Sequence, residues 1–192
     1  MTSLRKLTAL ALGAVAVLSV LCACTSSGAT GTGYRFTGAT KLGTLIPVAD
    51  RKPAPDFTGS LLDGGSYRLS KYDGKVTVVN FWGTWCGPCT VETPQFGLVY
   101  NAYRAKGVTF VGIDVKESGR DDPRAFVKDN HIDYPIVYDE TGETAVRLGN
   151  IPSQAMPFTV LLDKQHRVAA VYLLRMAASD LEPMLNKLVA EK

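Results

Sequence analysis

The residues able to do chemistry are Cys86-Gly87-Pro88-Cys89, in a chain of 192 residues. Two thiols in this C-x-x-C spacing can close into a disulfide and reopen, moving two electrons each time. The same spacing also supplies half of a zinc site. Zinc needs two further ligands. The other cysteines, Cys22 and Cys24, lie in a leader, and the only histidines are His131 and His166. No four-ligand set assembles, so the redox reading is preferred and no metal is expected. Glu92 follows Cys89 by three residues, one helical turn on and on the same face. Buried there, its carboxyl would have a raised pKa and exchange a proton with Cys89. Position alone leaves it equally open to being a solvated helix acid.

The flanking sequence supplies the elements that must hold these groups. Val76-Thr77-Val78-Val79-Asn80-Phe81-Trp82 is β-branched and aromatic, which reads as a buried strand. Pro88 suits the first turn of a helix, having no N–H to lose there. Strand, short loop and helix therefore put both sulfurs in the opening turn. The free N–H groups at that end favour a thiolate at Cys86, and Cys89 is near enough to bond it.

Upstream, Arg5 and Lys6 precede an apolar run from Leu7 to Leu21, too short for a convincing membrane span. The run closes on Leu21-Cys22-Ala23-Cys24, which resembles a bacterial lipoprotein signal. Residues 1–23 are expected to be removed and Cys24 to carry lipid. Residues 24–52, rich in Gly, Ser and Thr, read as a flexible tether, with Tyr34, Phe36, Leu45 and Ile46 able to dock in part. The folded domain is placed at 53–192. Lys and Arg number 21 against 18 Asp and Glu, and losing Arg5 and Lys6 brings them close to balance. No basic stripe argues for nucleic acid.

Along the domain, a hairpin over Asp56–Leu62 and Ser66–Leu69 turns at Asp63-Gly64-Gly65. The active-site helix is expected from Cys86 to Lys106, kinked at Pro94 and stopped by Gly107. Strands follow at Val108–Val115, Tyr134–Tyr138, Phe158–Leu162 and Arg167–Leu174. Helices are expected at Pro123–Asn130 and Thr141–Leu148, and a last one opens at Ser179-Asp180-Leu181-Glu182, which has capping-box spacing.

The run Asn80-Phe81-Trp82-Gly83-Thr84-Trp85-Cys86-Gly87-Pro88-Cys89, then Glu92, then Met156-Pro157-Phe158-Thr159, resembles the thioredoxin superfamily. More closely it is similar to the extracytoplasmic TlpA-like (ResA-type) thiol-disulfide oxidoreductases, over about residues 53–192. The resemblance implies an α/β, thioredoxin-like fold: a central mixed β-sheet flanked by helices, an N-terminal β-hairpin, and a helix-strand insertion over about 114–149. It implies that Cys86 is the nucleophile, Cys89 the resolving cysteine and Pro157 a cis-proline facing them. Asn80 replaces the aspartate of cytoplasmic thioredoxins and so shifts proton exchange to Glu92. Trp85, Gly87, Pro88 and Met156 fall where substrate is met. No cofactor is implied. The implied partners are disulfides of exported proteins, apocytochrome c among them, and a membrane thiol donor of the CcdA/DsbD type. The implied location is the outer face of the bacterial membrane, through lipid on Cys24.

Two rival classes share the architecture. Peroxiredoxins carry threonine three residues before the reactive cysteine, where this chain has Gly83. Sco-type copper proteins space their cysteines by three residues and add a distal histidine, which the two-residue spacing here does not match.

Overall fold

Seven consecutive buried residues, Val76–Trp82, form the strand that everything else packs around. The structure is a computed structural model describing residues 33–152 and 154–192. The expected signal segment 1–23 and the lipid site Cys24 lie outside the described residues. In chain order the elements are β1 (Thr58–Ser60), β2 (Ser66–Arg68), β3 (Val76–Trp82), α1 (Gly87–Tyr103), β4 (Val108–Val115), α2 (Asp121–Asp129), β5 (Ile136–Asp139), α3 (Glu143–Arg147), β6 (Phe158–Leu162), β7 (Val168–Tyr172) and α4 (Ala178–Ala190). Five strands make one sheet in the order β5-β4-β3-β6-β7. β3 runs parallel to β4, and β4 to β5, while β6 and β7 are antiparallel additions. The sheet is therefore mixed.

Both faces of the sheet are covered, which is why its strands are apolar runs without alternation. On one face Phe96 and Val99 of α1 and Leu181, Leu185 and Leu188 of α4 meet Val76, Val78, Trp82 and Phe110. On the other, Val79, Phe81, Val111 and Ile113 meet Phe57 and Tyr67 around the β1-β2 hairpin and Ala145 and Leu148 around α3. The hairpin lies so close to β5 that a Cβ on Gly59 would stand 2.3 Å from Val137 Cγ1, so only glycine fits. The segment α2-β5-α3 occupies the place of the expected insertion, between β4 and β6.

Several boundaries move for local reasons. α1 ends at Tyr103, and a tighter single turn, Arg104–Lys106, leads to Gly107 in the left-handed region. β5 begins at Ile136 because Pro135 has no N–H for the ladder. α3 starts later than expected, after the Asp139 carboxylate accepts the N–H groups of Gly142, Glu143 and Thr144. The cap of α4 is Ala177 and not Ser179. Asp180 Oδ2 accepts the Ala177 N–H at 2.8 Å, and alanine has no side-chain acceptor to return the bond.

The tether expectation is corrected for residues 33–52. The Thr40 and Ile46 N–H groups donate to Val171 and Ala169 carbonyls, both at 2.7 Å, so this stretch covers the otherwise open edge of β7. Arg51 is buried and bonds Asp163 at 3.2 Å and Glu191 Oε1 at 2.8 Å. Among the described residues no helix is long and apolar enough to cross a membrane.

Candidate active site

β3 delivers the chain to Trp82, the three-residue loop Gly83–Trp85 turns it, and Cys86 stands at the N-cap of α1 with Pro88 in the first turn. Cys86 and Cys89 are joined, S–S 2.02 Å and Cα–Cα 5.2 Å. Cys89 is fully buried and Cys86 nearly so. The Cys86 carbonyl accepts the N–H groups of Cys89 and Thr90 at 2.9 and 3.1 Å, which starts the helix.

The loop is tied to the end of β4. Trp85 Nε1 donates to the Val115 carbonyl at 2.8 Å, although the ring is 51% exposed. Thr84 donates its N–H and its Oγ1 hydroxyl to the two oxygens of Glu117. Gly83 makes room for this fold-back: a Cβ there would stand 2.5 Å from Trp85 Nε1. Trp82, by contrast, is wholly buried.

Glu92 lies inside, without exposed surface. One of its oxygens accepts from Asn80 Nδ2 at 2.7 Å, and the other accepts the Met176 N–H. Asn80 Nδ2 also reaches Thr159 Oγ1 at 3.3 Å. Burial pushes the carboxyl up to about 7, against the two hydrogen bonds and Arg175, which favour its anion. It is thus a buried acid, not a solvated one.

Pro157 is buried, and the Met156–Pro157 peptide is cis. Pairing of Phe81 with Phe158 sets Pro157 at the same end of the sheet as Trp82 and the loop to Cys86. Met156 is half-buried and packs against both cores.

Three participants were missed by sequence reasoning. Thr84 and Glu117 meet across 33 residues of chain, which no spacing rule foresees. Asp114, in the buried run of β4, has no exposed surface and, among the described residues, no donor to either oxygen. Its signal was a carboxylate inside an otherwise apolar strand.

A thioredoxin-like α/β fold with a C-x-x-C disulfide at a helix mouth defines a thiol-disulfide oxidoreductase. Comparison with known proteins agrees. The Redoxin family model matches residues 49–188. Thiol-disulfide oxidoreductase ResA of Bacillus thuringiensis subsp. konkukian (strain 97-27) is 34% identical over 137 residues, 71% of this chain and 77% of that protein. ResA of Bacillus subtilis (strain 168) is 29% identical over 139 residues, 72% of this chain and 75% of that one. Among solved structures, a secreted thiol-disulfide isomerase from Corynebacterium glutamicum superposes with TM-score 0.77 at 36% identity, covering 82% of this chain and 98% of that one. A DsbF homologue from Corynebacterium diphtheriae gives 0.76 at 36% identity, covering 81% and 99%. The chain belongs to the Redoxin family, among the ResA-type thiol-disulfide oxidoreductases.

Proposed function

We propose that the protein reduces disulfides in exported proteins from the outer face of the cell membrane, held there by lipid on Cys24. The observation that carries the chemical part is the Cys86–Cys89 disulfide at the mouth of α1, with the Glu92 carboxyl sealed one turn further along. In the dithiol form, the Cys86 thiolate attacks one sulfur of a client disulfide. A mixed disulfide forms, and the other client sulfur leaves as a thiolate and takes a proton. Glu92 then accepts the Cys89 proton. The Cys89 thiolate attacks Cys86 Sγ, and the second client sulfur leaves as a thiolate that takes up the proton Glu92 held. The client has gained two electrons and two protons, and Cys86–Cys89 is again a disulfide. A membrane dithiol donor of the CcdA/DsbD type returns two electrons for the next cycle.

The first-turn N–H groups of α1 favour the Cys86 anion. Trp85, Gly87, Pro88, Met156 and Pro157 form the surface on which an extended client chain is laid beside the sulfurs. Export, a lipid anchor and a buried proton-exchanging acid together suit apocytochrome c as a client. On this reading residues 1–23 are a signal segment, removed ahead of a lipidated Cys24.

The experiment is reduction of insulin disulfides by the reduced protein, run beside Cys86→Ser and Cys89→Ser. Loss of activity in the first, and a trapped mixed disulfide in the second, are expected. Labelling cells with a radioactive fatty acid tests the anchor, and Cys24→Ala should lose the label. Normal c-type haem attachment in a deletion strain would remove the cytochrome role.

A further inference from the structure

Asp114 is a buried acid that the exchange reaction leaves unused. It sits on β4 opposite Trp82 of β3, and among the described residues neither of its oxygens receives a hydrogen bond from a donor. Its charged and titratable neighbours are Glu117 and Arg120 beyond β4, and Tyr138 and Asp139 on β5. Arg120, Tyr138 and Asp139 are engaged elsewhere. Arg120 donates to the Leu61 and Leu62 carbonyls and lies 4.3 Å over the Tyr138 ring. Tyr138 donates its hydroxyl to the Glu117 carbonyl at 3.4 Å. Asp139 is held by the first N–H groups of α3. Of these four, Glu117 is the one whose carboxylate shares a hydrogen bond with Asp114.

Two carboxyl groups that meet in a buried place are stable with one proton between them. Both oxygens of Glu117 already accept, one from the N–H and one from the hydroxyl of Thr84. The proton therefore belongs on Asp114, which then has a partner for its O–H. We propose that Asp114 is a positioning residue: as the neutral acid it donates to Glu117, and the pair clamps Thr84, two residues ahead of Cys86, so that the Trp85–Cys86 turn holds its place. This rests on Cys86 being the reactive sulfur. Burial, then the Glu117 charge, push the Asp114 carboxyl up to about 8, against the pull of Arg120. Above that pH two adjacent anions repel, and the clamp on Thr84 loosens.

The test uses 15N-labelled protein in the disulfide form, where neither sulfur titrates. The Thr84 amide, bonded to a carboxylate, is expected downfield at pH 6 and to move upfield with a midpoint near pH 8. Asp114→Asn keeps a donor that needs no proton, so its Thr84 amide should stay downfield to pH 10. In the insulin assay, the rate of Asp114→Asn relative to the native protein should rise several-fold between pH 7 and pH 9. A native Thr84 amide that does not titrate, or an Asp114→Asn amide that titrates as the native one does, would overturn the clamp. The amide readout needs no turnover, so its failure and a failure of the disulfide-reducing role are told apart.

Discussion

Asn80 Nδ2 donates to Glu92 at 2.7 Å from the middle of β3, and that bond fixes where the buried acid of α1 points. A neutral amide holds an anion without competing for its proton. Burial is what brings the carboxyl up to titrate near neutrality, with the Asn80 bond pulling the other way.

Glu92→Gln should remove that titration. The native rate of insulin reduction is expected to rise with pH through an inflection near 7, as Glu92 becomes able to accept the Cys89 proton. The variant should lack the inflection and be slower by on the order of 10²-fold, the usual worth of a positioned acid or base. A stopped-flow pH series with both proteins checks it.

The same group sets a stability slope. Its folded pKa, about 7, lies above the ordinary 4.5, so between these values the folded state holds a proton the unfolded chain has released. Stability therefore falls as pH rises through that window. At about 1.4 kcal/mol per unit, Glu92→Gln should be the more stable at pH 8 by at most about 3 kcal/mol. Urea unfolding at pH 5 and pH 8, in the disulfide form, reads the difference.

Gly83→Ala should disturb the site without touching a sulfur. The added Cβ meets Trp85 Nε1 at 2.5 Å, so the indole must leave the Val115 carbonyl. Overpacking of this kind costs about 1–3 kcal/mol. Tryptophan emission should shift to the red, and client reduction should slow.

Arg51→Ala should loosen the segment that covers β7. Asp163 would keep Arg167 at 2.8 Å but lose its buried partner, and Glu191 would lose both of its bonds to Arg51. A loss of about 2–3 kcal/mol is expected, with faster hydrogen exchange at the Thr40 and Ile46 amides that donate to β7. Thermal unfolding and exchange measurements follow it.

How much of this was legible follows from what kind of interaction holds each part. Val76–Trp82, Val108–Val115 and Phe158–Leu162 were readable to the residue because runs dominated by β-branched and aromatic residues, bounded by polar or turn residues, declare buried strands. The Cys86–Cys89 pairing was readable because its partners are neighbours in sequence. Residues 33–52 were half read: Tyr34, Phe36, Leu45 and Ile46 do dock on the cores, whereas the bonds of the Thr40 and Ile46 N–H groups to β7 are ones any residue type supplies and leave no hydrophobic period. The hold on Glu92 was half visible. Asn80 stood out against the thioredoxin pattern, whereas the second donor is the Met176 backbone, 84 residues away, which leaves no mark in the sequence. The Asp114–Glu117–Thr84 contact was hidden because its logic is a shared proton between groups that meet only after folding.

The most direct measurement is insulin reduction by Cys86→Ser against the native protein at pH 7. Loss of turnover is predicted, with Cys89→Ser instead accumulating a covalent protein–insulin adduct that dithiothreitol releases. A Cys86→Ser protein that still reduced insulin at the native rate would contradict the account.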